Sequence, residues 1–551
     1  MAEPIAQGAG KGEFFCNFSR IFTHKRILCL ILLASFLIPL LSVSIYKSFT
    51  YDEAAALYNS YLELQGDHAF VDYFNGLQKT PGIIWLCVPI TFLFGNSFDA
   101  LLAVRVLSIL VRVLTVVIVY YIGLKLFDNY EKKKKIALGA ALFFGISSLV
   151  ASVAAVLFTE PFTTLLMSLA FLTYISNNKY RYYISGILIG LAGLLRQSPI
   201  IFAGIFLFFI FAYEFRKIKE ALLNATNFVI GLIIGFSPMI VYLFVTDSFE
   251  AFYRSVFVYQ SYHNPVNAEV LVSAIGPKIN AIVNGFRSDV YLVVILLLGL
   301  AIYLVQKRFN LVKVAKDTKN FAANNKYYFF MFAWLFVYAF SFVFTGALFV
   351  HYIYEIMVPI CLIASKVLFD LATFVRSKFR PSGYKIIKCL FIIFIILSVT
   401  SGIVYPHRMV DNTDWYVYQE FKKYGTETVL TDIPSVMFLF GEKQGLYLWA
   451  EGEVAYEKSG LNKVFGERNL TDINAYIEKN QPDLLFVYEI RDTFNNPNYV
   501  KFNITDLPSK DDPRYLFYMQ IKKIIYNTFS FEKEITPYEN SYFIHKRLLE
   551  K

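Results

Sequence analysis

Cysteine is scarce in this chain, with five in 551 residues, at positions 16, 29, 87, 361 and 389. All five lie in or beside apolar runs with no metal-ligand spacing. That excludes a disulfide framework or a structural zinc site and leaves packing as their role. Charge is scarce as well: Asp, Glu, Lys and Arg make up 17% of the chain, against ~25% in ordinary soluble domains. One soluble globule of this composition would lack the polar surface to stay dispersed. What fills the chain instead is apolar: 56% hydrophobic residues, including 56 phenylalanines. Disorder and collagen-like structure are excluded by the same numbers. The chain reads as a polytopic membrane protein.

The charge that is present is unevenly divided. From Arg408 to Lys551 there are 18 basic and 22 acidic residues, whereas the preceding 407 residues hold 34 basic and 20 acidic. The basic excess falls in short clusters between apolar runs, which is a membrane-orientation signal and not a nucleic-acid footprint.

Apolar runs long enough for a ~30 Å hydrocarbon core recur between Ile27 and Val404. We read eleven spans, at 27–46, 101–127, 136–153, 158–176, 182–196, 199–215, 222–245, 289–305, 327–348, 352–371 and 384–404. The run from Ile83 to Gly95 is too short and carries Pro89, so it is expected as a re-entrant or interfacial helix. The first span follows a polar start and lacks a small-x-small site before Tyr46, so it is expected to be retained and not cleaved as a signal. No internal repeat is evident.

Basic clusters at His24–Arg26, Lys132–Lys135, Lys179–Arg181, Arg216–Lys219, Lys307–Arg308 and Arg376–Arg380 all fall on one side of these spans. The positive-inside rule makes that side the cytoplasm. The expected organisation is a cytoplasmic N-terminus at 1–26, a membrane domain at 27–404 with a first outer loop at 47–82, and an extracytoplasmic α/β domain at 405–551. Strand-like stretches at Thr428–Thr431 and Leu484–Tyr488 carry the α/β expectation, and sequons at Asn469 and Asn503 lie in the same tail. The implied location is the plasma (inner) membrane.

This topology brings polar residues to one outer face: Asp52-Glu53 beside Tyr51, Lys79-Thr80-Pro81, Arg105, Glu160-Pro161, Arg196-Gln197 and His351-Tyr352. Singly, each has an ordinary explanation as a solvated loop, a headgroup contact or a helix-end anchor. Together they imply a shared cavity at the outer leaflet. A secondary transporter or lipid flippase would instead place its charges at mid-depth; we read the spans as lacking them. A non-catalytic scaffold would leave the clustering unexplained.

The same residues resemble a family. From Tyr51 to Phe127 the chain is similar to GT-C glycosyltransferases of the protein-O-mannosyltransferase and aminoarabinose-transferase type. The matching elements are Asp52-Glu53, Gly66-Asp67, Lys79-Thr80-Pro81, Trp85, and Phe94-Gly95-Asn96-Ser97 running on to Arg105. Thr159-Glu160-Pro161 looks like the family's second acidic site, Gly190–Arg196 like its "GLA-x-L-x-K" run, and Tyr352 with Pro359 like its late "Y-x-x-P" segment. Thr80 stands where the family has proline, Glu160 where it has aspartate, and Arg196 where it has lysine.

The resemblance implies a GT-C fold and transfer of a hexosyl or pentosyl group, with inversion, from a polyprenyl- or dolichyl-phosphate carrier to a lipid, glycan or protein acceptor. Such chemistry needs a carboxylate for the acceptor nucleophile and cations for the departing phosphate. The expected catalytic set is Asp52, as base, with Glu53 and Glu160. Lys79, Arg105 and Arg196 are expected at the donor phosphate, and Tyr51, Gln197, His351 and Tyr352 at substrate. If a divalent metal is used, its ligands would be Asp52, Glu53 and Glu160.

Overall fold

The computed structural model describes residues 24–41, 50–72, 80–214, 217–259, 275–306, 325–342 and 349–378, short pieces of 385–400, and four strands near the C-terminus. The helices run in chain order as α1 His24–Leu41, α2 Tyr51–Gln65, α3 Gly82–Phe94, α4 Phe98–Leu126, α5 Lys133–Ile146, α6 Ser148–Ala154, α7 Thr159–Tyr174, α8 Arg181–Leu195, α9 Pro199–Glu214 and α10 Ile218–Val245. They continue as α11 Phe249–Tyr253, α12 Ile275–Phe286, α13 Val290–Gln306, α14 Lys326–Ser341 and, after a 3-10 segment Val350–Ile356, α15 Met357–Lys378.

Helix therefore occupies ten of the stretches read as spans; the eleventh, 384–404, lies largely outside the described residues. By length and composition, three described helices can cross a membrane, or up to five if each bent pair is one span. The bent pairs are α5 with α6, at 54°, and α12 with α13, at 101°.

Local sequence explains the elements that frame the site. Thr50 caps α2 in a reciprocal box with Glu53, and Gly66 ends the helix at φ 92°, a conformation that favours glycine. Ser97 caps α4 by accepting from the Ala100 amide. Helices α8 and α10 cross unusually closely: a methyl group on Gly186 or Gly190 would run into the carbonyls of Phe228 or Leu232, and one on Gly231 or Gly235 into those of Tyr183 or Ile187. Each helix offers two glycines four residues apart, so the backbones meet directly, as in small-residue membrane crossings.

Two apolar cores stack along α4. Ala100, Leu101 and Val104 join Leu57, Ile84, Leu157, Leu195 and Met239 near the helix start. Further along, Val116, Val119 and Ile122 join a larger core with Phe202, Phe206, Phe330 and Trp334.

One reading is corrected. The spans do carry a charge at mid-depth: Arg112 sits in the middle of α4 with no exposed surface. Its guanidinium donates to the carbonyls of Ser35 and Gly145, at 2.5 and 2.6 Å. A charge is tolerated there because Pro39, which has no N–H, leaves the Ser35 carbonyl inside α1 without its helical donor, and Gly145 lies in the last turn of α5, so both supply acceptors that lipid cannot.

The C-terminal strands β1 Val429–Thr431, β2 Leu484–Phe486, β3 Tyr499–Asn503 and β4 Ser541–His545 form one sheet in the order β1-β2-β4-β3. β1 pairs parallel with β2, Val429 opposite Leu484, and β4 is antiparallel to both β2 and β3. A parallel pair needs a crossover connection. That connection, and the rest of the 405–551 segment, lies outside the described residues.

Candidate functional site

Adjacent positions on a helix point about 100° apart, and this separates the two acids at the start of α2. Glu53 is turned inward, with no exposed surface, and its carboxylate accepts from four directions. The donors are the Thr50 amide at 2.9 Å, Arg105 Nε at 2.8 Å, Arg105 Nη2 at 2.7 Å and the Leu157 amide at 2.7 Å. Arg105 is equally buried, and two of its nitrogens grip both oxygens of Glu53 as a fork. Asp52, one residue earlier, stays half-buried.

The Leu157 amide leads to the second cluster. Three residues of chain cover at most about 11 Å, so Glu160, in the first turn of α7, lies close to this knot. Glu160 is fully buried and its Oε1 is paired with Arg196 Nη1. His351 Nε2 lies 3.8 Å from the same oxygen. Arg196 also faces Glu355, with Nη1 3.9 Å from Oε1, and its guanidinium lies 4.1 Å above the ring of Tyr352. Glu355 accepts from Ser198 Oγ at 2.8 Å and Thr163 Oγ1 at 3.3 Å. His351 stacks on Phe158 with ring centroids 4.3 Å apart. One guanidinium is thus held between two buried carboxylates, and Arg196 and His351 keep 12% and 14% of their side-chain surface exposed.

The Thr80 segment docks onto the end of α8. Thr80 Oγ1 donates to the Gly193 carbonyl at 2.9 Å. Gly82 sits so close to Leu194 that a methyl group there would meet its carbonyl oxygen. The threonine that replaces a proline therefore makes a bond proline cannot. That bond ties Thr80 to the helix whose C-cap is Arg196. Lys79 itself lies outside the described residues, and of Tyr51 only its place at the head of α2 is described. Gln197 is half-buried between Arg196 and Ser198.

The structure thus gathers Glu53 with Arg105, and Glu160 with Arg196, His351 and Tyr352. It does not bring Glu53 and Glu160 together as metal ligands. Glu53 is surrounded by N–H donors and Glu160 by Arg196, and among the described residues no three His, Cys, Asp or Glu side chains form a metal-binding group.

Sequence reasoning missed Glu355. It is the only acidic residue between Asp317 and Asp370, and an acid inside so long an apolar stretch is itself a signal. Ser198 and Thr163, which hold Glu355, carried no such mark.

A second buried acid was also missed. Asp289 accepts from Ser147 Oγ at 2.7 Å and from the amides of Ser148 and Leu149 at 3.1 and 2.9 Å. It thereby caps α6. This short helix is held by a carboxylate at its start and, just beyond its end, by Glu53 through Leu157.

Residues 78–242 match the family model for dolichyl-phosphate-mannose-protein mannosyltransferase. The matched segment contains Thr80, Arg105, Glu160 and Arg196, while Asp52-Glu53 and His351–Glu355 lie outside it. ArnT from Cupriavidus metallidurans, in its apo state, superposes with a TM-score of 0.54 at 12% identity, covering 86% of this chain and 94% of that one. The same protein bound to undecaprenyl phosphate gives 0.53 at 13% identity, with coverages of 84% and 92%. At these identities the likeness is one of fold. The apo oligosaccharyltransferase of Archaeoglobus fulgidus gives 0.46 at 12% identity, covering 85% and 70%, and no argument rests on it. No curated protein sequence matches the chain.

Proposed function

From the premise that this chain has the fold of ArnT and resembles GT-C glycosyltransferases in sequence over 78–242, we propose that it is an integral-membrane glycosyltransferase. Its donor is a sugar on a polyprenyl or dolichyl phosphate, as the undecaprenyl phosphate bound by ArnT suggests. Its acceptor is a lipid, glycan or protein at the extracytoplasmic face of the plasma membrane. The N-terminus is cytoplasmic, and residues 405–551 form an extracytoplasmic domain.

The observation that carries the reading is the unequal fate of the two adjacent acids. Glu53 is immobilised by Arg105, the Leu157 amide and its own helix cap. Asp52, one residue away, keeps part of its surface exposed and is the carboxylate assigned to the substrate. It accepts the proton of the acceptor hydroxyl or amine as that atom attacks the anomeric carbon. The carbon–oxygen bond to the carrier phosphate breaks on the opposite face, giving inversion, and the phosphate leaves with the bonding electrons. Lys79 and Arg196 are the cations proposed to stabilise it. Arg105 is reassigned from phosphate contact to positioning, because its fork closes on Glu53. Glu160 and Glu355 hold Arg196 in place and line the acceptor side with His351, Tyr352 and Gln197.

The test is sugar transfer from a synthetic polyprenyl-phosphate sugar by purified Asp52→Asn enzyme. Turnover falls at least ~10²-fold, the lower range for general acid–base catalysis, with an unchanged melting profile. A fully active variant removes Asp52 as the base. Mass spectrometry of lipid co-purifying with wild type names the carrier, and absence of any polyprenyl phosphate counts against the donor class.

A further inference from the structure

A cleft of about 400 Å³ opens at the end of α8 remote from Arg196, lined by Lys179, Tyr180, Tyr182, Tyr183 and Asn227. The fifteen residues of α8 rise roughly 22 Å, so this cleft is a separate feature from the candidate site. It lies beside the close glycine crossing, in which the carbonyl of Tyr183 faces Gly231.

The surrounding charges are mostly positive. The Lys179 ammonium lies 4.7 Å over the Tyr180 ring and has no carboxylate partner among the described residues. Arg181 donates to Tyr182 Oη at 2.9 Å. The neighbouring acid, Glu214, is held by the Tyr182 hydroxyl at 2.5 Å and Asn224 Nδ2 at 2.7 Å. The polar lining thus offers an ammonium, phenol hydroxyls and an amide, a donor set suited to phosphate oxygens. Three and seven residues beyond Asn227, on the same face of α10, Ile230 and Ile234 are both 44% exposed. A polar, cationic end continuous with an exposed aliphatic strip has the shape of a lipid.

The structure assigns this cleft as a binding site for an anionic glycerophospholipid of the leaflet opposite the candidate site. The phosphate lies against Lys179, Tyr183 and Asn227, and an acyl chain lies along Ile230 and Ile234. The assignment does not depend on the glycosyltransferase reading.

The test is native mass spectrometry of delipidated full-length protein titrated with phosphatidylglycerol, phosphatidylcholine or inorganic phosphate. A basic residue near a membrane surface contributes about 1 kcal/mol toward an anionic lipid. The first phosphatidylglycerol should therefore bind roughly 5-fold tighter than phosphatidylcholine, and Lys179→Glu should erase that preference. Lys134→Glu, in a different exposed basic cluster, should leave it intact. Lys179 is itself exposed, so both variants should fold, which their melting curves check. Equal binding of the two lipids by wild type, no change in Lys179→Glu, or an equal loss in Lys134→Glu overturns the site. Displacement of phosphatidylglycerol by inorganic phosphate overturns the lipid assignment in favour of a free anion.

Discussion

The buried pair Glu53–Arg105 separates two roles that one residue type can play. A guanidinium at a departing phosphate acts on turnover, whereas one locked to a buried carboxylate acts on folding. Arg105→Ala strands a carboxylate with no exposed surface, and breaking a buried pair in this way costs about 3–5 kcal/mol. The expected outcome is a clear drop in apparent melting temperature in detergent. Adding Glu53→Gln to Arg105→Ala should recover part of that loss, because the stranded charge is gone. Arg105→Lys keeps the charge but not the fork, so it should fall between wild type and Arg105→Ala. A melting temperature unchanged in Arg105→Ala, with transfer abolished, would return Arg105 to the phosphate. At this scale the sequence marks which residues matter better than it marks what they touch. Asp52 and Glu53 are indistinguishable as letters. Their separation follows from helix geometry together with a partner 52 positions away and an amide 104 positions away. Glu355 could have been found from its isolation in apolar sequence, but its two hydroxyl partners could not.

Elements show the same division between local and distant causes. The short helix at Gly82–Phe94 was legible from its length and Pro89, and its tip exposes Phe92 and Leu93. The break between α5 and α6 was not legible. Ser147, where the chain turns, bonds to Asp289 142 positions later, so the cause of the bend is tertiary. The glycines of α8 and α10 are local in sequence but acquire meaning only in the crossing. Gly186→Ala and Gly204→Ala make this testable, since both add one methyl to a helix interior, where alanine is intrinsically favoured by about 1 kcal/mol. At Gly204 the methyl meets nothing within 4 Å, whereas at Gly186 it meets the Phe228 carbonyl. Gly204→Ala should therefore melt at or slightly above wild type. Gly186→Ala should melt lower, because overpacking costs about 1–3 kcal/mol and exceeds the propensity gain. It should also lower sugar transfer, because α8 ends at Arg196. Equal melting of the two variants would mean that the crossing is looser than described.

At the scale of the whole molecule, the question is which end of the bundle faces which compartment. The bonds Glu53–Leu157, Thr80–Gly193 and Glu160–Arg196 gather the candidate residues of α2, α4, α7 and α8 at one end. At the start of α8, Lys179 and Arg181 lie at the other end, a helix length away. There too, Lys366 of α15, paired with Asp370, lies 4.4 Å over the ring of Tyr130, in the turn that precedes the Lys132–Lys135 cluster. Cations of distant sequence segments therefore share an end, as the positive-inside rule requires of a cytoplasmic face. The prediction is that a reporter inserted at Lys133 is cytoplasmic and one fused after Lys551 is extracytoplasmic. Single cysteines at Lys133 and Asp52, in a background lacking the five native ones, provide a second readout: a membrane-impermeant thiol reagent added to intact cells should label position 52 and spare 133. Labelling at 133 with protection at 52 would invert the molecule. Asp52 would then face the cytoplasm, and a lipid-linked donor presented at the outer leaflet could not reach the proposed base.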